Sequence, residues 1–132
     1  MQGVLRSAAC VLLFTALTAQ GANAARASGA DLFMSHCAAC HGVDGEGGGP
    51  VATVLQGTVP NLRALTMRNG GTFPTAAVTA YIDGRELTAA HGDRQMPIWG
   101  AVFRGPEQGT ANRTVRARIK ALVTFIRELQ YR

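Results

Sequence analysis

The chain has 132 residues, which accommodates one domain rather than two. With 47% hydrophobic and 16% charged residues it can build a core, and its sixteen glycines show neither a period of three nor a tandem repeat, so general disorder, collagen and solenoid architectures are excluded. The formal charge is +5, carried by twelve arginines and Lys120 against eight acids, and aromatics are only 6%, so the core has few large rings and room for a bound group to supply apolar bulk.

Residues 1–24 read as a secretory signal. Met1 to Arg6 carry one positive charge, Ala8 to Ala19 form an uncharged, mostly apolar run, and Ala22-Asn23-Ala24 offers the small-x-small pattern of a cleavage site. Ala25-Arg26-Ala27 is a second candidate site. As a helix the apolar run of twelve would rise about 18 Å, short of the ~30 Å bilayer core, which favours cleavage over retention as an anchor. Cys10 is no lipoprotein cysteine, because the apolar run continues past it. Cleavage near Ala24 removes Arg6 and no acid, leaving twelve basic residues against eight acidic ones, or +4, on a domain spanning 25–132.

Ser28 is placed to cap a helix running through about Ala38, with Leu32 and Phe33 facing a core. That helix leads into Cys37-Ala38-Ala39-Cys40-His41. A C-x-x-C-H string is what covalent haem attachment needs. Two thiols one turn apart add across the two haem vinyl groups, and the adjacent imidazole falls beneath the iron as an axial ligand. Three other readings compete. A redox dithiol of thioredoxin type usually follows a strand, and nothing strand-like precedes Cys37. A structural zinc needs four ligands, and only His36 and His91 remain as ordinary candidates. A simple disulfide leaves His41 a coincidence.

Gly42 to Pro50 hold five glycines. They form either a plain connector or a loop that needs unusual backbone angles and close approach. Asn61 to Arg68 predict a short helix stopped by Gly70-Gly71. Thr75 to Asp83 predict another, with Pro74 near its start and Gly84 past its end. Arg85 to Pro97 show no periodicity and form a loop carrying Met96. Asn112 can cap a last helix with Val115, Ile119, Leu122, Ile126 and Leu129 on one face. Met96 precedes a proline in a loop long enough to cross a haem, whereas Met34 and Met67 lie on helices and are expected in the core. His91 is a rival distal ligand.

With these residues in view, the chain resembles a class I c-type cytochrome, a bacterial monohaem cytochrome c. Gly29-Ala30-Asp31-Leu32-Phe33 resembles that family's N-terminal helix. Pro60-Asn61-Leu62 resembles its Pro-x-Leu, and Met96-Pro97-Ile98-Trp99-Gly100 its distal Met-Pro-x-Trp-Gly. Leu122-Val123-Thr124-Phe125-Ile126 resembles the C-terminal helix that packs across the first. The order and spacing fit from about Gly29 to Leu129. The resemblance implies an all-α cytochrome c fold of about four short helices wrapped around one covalently bound haem c. It implies Cys37 and Cys40 as thioether partners, His41 as proximal ligand and Met96 as distal ligand. It implies that the Pro60 carbonyl receives the His41 ring N–H, which fixes the ring and strengthens it as a donor to iron. Tyr81, Trp99 and Arg94 are candidates to surround the haem or bond a propionate, with ordinary packing or solvation as the alternative.

A haem with both axial positions taken by protein has no place for a substrate, so an electron carrier and not an enzyme is expected. The alternatives are a gas-binding or sensing haem domain with a displaceable Met96, and a dedicated subunit of an oxidoreductase complex. Expected partners are a redox donor and acceptor. Arg113, Arg116, Arg118, Lys120, Arg127 and Arg132 could steer acidic docking patches, or could simply form a solvated helix face. Export, periplasmic or secreted, argues against nucleic acid. Membrane association is expected only if the signal segment is retained.

Overall fold

A computed structural model describes residues 27–85, 95–105 and 112–132. The expected signal segment, Arg94 and His91 lie outside them. Among the described residues there are six α-helices and no strand: α1 (Gly29–His36), α2 (Ala38–His41), α3 (Leu65–Arg68), α4 (Thr75–Asp83), α5 (Trp99–Val102) and α6 (Asn112–Glu128). Single 3-10 turns occur at Ala52–Val54 and Leu62–Ala64. The all-α expectation stands, with more pieces than the expected four. The additional helices, α2 and α5, have four residues each. One turn is too short for a 3.6-residue pattern to show.

α1 starts where Ser28 provides a capping box. The Asp31 N–H donates to Ser28 Oγ at 3.1 Å, and the Ser28 N–H and hydroxyl donate to the Asp31 carboxylate at 3.1 and 2.7 Å. The helix was expected to reach Ala38 but breaks at Cys37 (φ −117°), and α2 resumes at Ala38. α1 lies across α6. A Cβ on Gly29 would overlap the Ala121 carbonyl oxygen, so only glycine lets the two backbones approach this closely. Phe33 is fully buried there, its ring 5.3 Å from that of Phe125.

The amphipathic α6 supplies Val115, Ile119, Leu122, Val123 and Ile126 to the core, joined by Leu32, Phe33, Ile82 and Phe103. Burying each such side chain stabilises by roughly 1.5–3 kcal/mol. Leu129 is half-buried just past the helix end. Asn112, expected as a cap, is helical and is the first described residue of α6. Its Oδ1 accepts from Arg85 at 3.2 Å and from Arg104 at 3.4 Å. Two other expectations fail. Met34 is 52% exposed and Met67 69% exposed, so neither is a core residue. On α1 the inward stripe is taken by Leu32 and Phe33, and Met34 turns away from it.

The glycine run after α2 is no plain connector. It folds back so that Gly47, Gly49 and Val51 N–H groups donate to the carbonyls of His41, Cys40 and Ala39 at 2.7, 3.0 and 2.9 Å. These are the carbonyls that a four-residue helix leaves without partners. Gly42 ends α2 at φ 76°, ψ 155°, a region essentially confined to glycine, and a Cβ on Gly49 would overlap the Ala39 oxygen. Among the described residues no helix is long and apolar enough to cross a membrane.

Candidate functional site

The site grows from α2. The His41 N–H donates to the Cys37 carbonyl at 2.9 Å, which places the two side chains one turn apart on the same face. Cys37 and His41 are buried and Cys40 is half-buried. The two thiols are not joined to each other. Burial, reinforced by the neighbouring Cys40, pushes the Cys37 thiol up to about 12. A thiol so reluctant to ionise is a poor attacking group for dithiol exchange. Among the described residues no three His, Cys, Asp or Glu side chains are grouped to hold a metal ion by themselves.

His41 is only 8% exposed, and its Nδ1 lies 3.2 Å from the Pro60 carbonyl oxygen. A carbonyl only accepts, so Nδ1 carries the proton and donates. Burial holds the imidazole below its usual range, and the bond to Pro60 offsets part of that effect. The neutral ring therefore keeps its lone pair on Nε2. Pro60 is brought there by the glycine loop: the Leu62 N–H donates to the Gly45 carbonyl at 2.8 Å, and Gly47 packs beside the Val59 carbonyl.

The facing wall is the segment around Met96, which is half-buried against the core. The Gly57 N–H donates to Gln95 Oε1 at 3.1 Å and ties this segment to the loop ahead of Pro60. Trp99 opens α5, stacks on Phe103 with centroids 5.8 Å apart, and meets the His36 ring at 5.2 Å.

Between these walls lie two adjoining cavities of about 290 Å³ each, both lined by Cys37, His41, Pro60, Tyr81 and Met96. The first also meets His36, Cys40 and Trp99. The second is walled by Leu62, Leu65, Val78, Ile82 and Ile126. Among the described residues no Asp, Glu, Lys or Arg lines either one. The structure thus gathers Cys37, Cys40, His41, Pro60, Met96, Trp99 and Tyr81 around one space. Tyr81 remains 53% exposed at its mouth. Arg94 is not among the described residues. His36 and the aliphatic walls were missed in the sequence. His36 gave no signal beyond adjacency to Cys37, and the aliphatic side chains come from three separate segments.

A largely apolar space lined by two free thiols, an imidazole and a thioether fits a flat apolar group that carries a metal at its centre. The sequence model of the cytochrome c family matches residues 26–130. The chain belongs to the cytochrome c family. As a c-type cytochrome it carries one covalently attached haem c with its iron and serves haem-based electron transfer. No curated protein and no solved structure gave a match.

Proposed function

We propose that this cytochrome is a class I, single-haem carrier of one electron at a time, with His41 and Met96 as its axial ligands and no substrate position at the iron. The observation that carries this reading is that His41, Met96 and both thiols of the pentapeptide line the same space. When bound, the haem iron supplies a ferric–ferrous couple. The residues do the rest. Cys37 and Cys40 hold the group through thioethers. Pro60 orients the His41 ring and makes it a better donor. Met96 presents a soft, neutral sulfur, which favours the ferrous state and raises the potential. Among the described residues the lining carries no Asp, Glu, Lys or Arg, and such surroundings favour the state of lower charge.

The test is voltammetry of the Met96→His holoprotein. The potential should fall, and each 100 mV corresponds to about 2.3 kcal/mol per electron. An unchanged potential overturns the ligand assignment.

The carrier is exported to a periplasmic or extracellular space, as the charged, apolar and small-residue order of residues 1–24 suggests. A mature N-terminus near residue 25 by mass spectrometry supports this, and an intact Met1 contradicts it. Its partners are a redox donor and acceptor. On α6, Arg118 donates to the Phe103 carbonyl and Arg127 to the Thr75 hydroxyl. Exposed Arg113, Arg116, Lys120 and Arg132 are then the candidates to steer acidic partners.

A further inference from the structure

We infer that the Asp83–Arg85 pair, through Gly100, is a positioning device for Met96. This rests on reading Met96 as an axial ligand. Met96 sits three residues before α5, and α5 is a single turn. A helix of one turn has no stability of its own and must be held from outside. Among the described residues, α6 reaches the C-terminal end of α5 through Arg118, which donates to the Phe103 carbonyl, and two further sets of contacts hold it. On the α1 side, His36 packs against both Trp99 and Phe103, with centroids 5.2 and 5.3 Å away. On the α4 side, buried Gly100 lies directly on the ion pair. A Cβ there would stand 2.6 Å from Arg85 Nε and 2.7 Å from the Asp83 carbonyl, and would overlap the Asp83 carboxylate.

The pair itself is two-pronged. Arg85 Nε donates to Asp83 Oδ1, and Arg85 Nη2 to Asp83 Oδ2 at 2.8 Å. Its remaining Nη1 reaches Asn112 Oδ1 at 3.2 Å, which Arg104 also approaches at 3.4 Å. One guanidinium therefore joins the end of α4 to Asn112 at the start of α6, and Arg104, just after α5, meets that same Asn112. Both partners are about one-quarter exposed (25% and 24%), so water and salt screen them less than a surface pair. The second ion pair, Arg63–Glu46 at 3.0 Å, is more exposed and ties the glycine loop on the His41 side, away from α5. It is the natural control.

The experiment follows carbon monoxide binding to the reduced holoprotein. Met96→Ala sets the rate for an open iron. Arg85→Gln and Gly100→Ala should each bind at least about tenfold faster than the detection limit at which the parent shows no binding, the scale set by losing a charged hydrogen bond, and stay below Met96→Ala. Arg85→Lys should recover part of the difference, and Arg63→Gln should match the parent. If Gly100→Ala does not fold, Arg85→Gln carries the test. Parent-like rates for Arg85→Gln beside a fast Met96→Ala overturn the inference. So does equal acceleration by Arg63→Gln, which would mean general loosening. If Met96→Ala is no faster than the parent, the ligand reading falls, and this inference with it.

Discussion

The wall carrying His41 is built from main chain, and the wall carrying Met96 from side chains. Around His41, the carbonyls of three α2 residues accept from the returning glycine loop, and the ring itself is fixed by the Pro60 carbonyl. Around Met96, the one-turn α5 is held by the rings of His36 and Phe103 and by the Asp83–Arg85 pair under Gly100. Main-chain hydrogen bonds in a glycine-only conformation have few ways to rearrange. Side-chain contacts can be loosened one at a time. The proximal ligand is therefore the fixed one, and the distal ligand is the one that substitutions can release.

The largest effect that separates the two walls is loss of attachment. Replacing Cys37 and Cys40 together by alanine should remove all covalent haem, read as loss of haem stain from the denatured chain. Met96→Ala should keep the stain and lose only closure of the iron. If Met96→Ala also lost the covalent haem, the division between the walls would be wrong.

Next is Gly42→Ala. A side chain at φ 76°, ψ 155° costs about 1–3 kcal/mol, so thermal unfolding should shift down by that scale. Carbon monoxide binding should change little, because α5 is untouched. Arg85→Gln should instead speed carbon monoxide binding, and its stability deficit should depend on pH. Hydrogen bonding to Arg85 holds the Asp83 carboxyl below its ordinary 3.8. The pair's contribution is thus complete above 3.8 and disappears as pH falls through the lower folded value. Denaturation of parent and variant, compared at neutral pH and in acid, should converge in acid.

The smallest effect lies outside both walls. Ser28→Ala should cost about 1 kcal/mol, typical of a lost helix cap, and leave the haem spectrum unchanged. Asp31 is held below 3.8 by its bonds to Ser28, so this difference too should narrow in acid.

How much could be read in advance follows the same division. Cys37, Cys40 and His41 were legible because their chemistry needs a fixed local spacing. Four residues of the buried face of α6, Val115, Ile119, Leu122 and Ile126, were legible because seventeen residues give a periodic pattern room to show, whereas Val123 was not read on that face and Leu129 lies past the helix end. Thr75 to Asp83 were bounded correctly by Pro74 and Gly84. α5 was not seen, because four residues carry no period. The role of Gly100 depends on Asp83 and Arg85, which the chain brings to it from more than a dozen positions away. Met34 and Met67 were misplaced because composition marks a side chain as apolar without saying which way a short helix turns it. The glycine loop was ambiguous in the sequence. Its return hydrogen bonds to Ala39, Cys40 and His41 resolve it.

The central claim is that protein side chains close both faces of the iron. Its most direct test is the visible spectrum of the reduced holoprotein before and after carbon monoxide. A low-spin c-type spectrum that does not shift is the expected result, with His41 and Met96 both in place. A clear shift would contradict it: the distal face would be open, and a gas-binding role would replace the electron carrier.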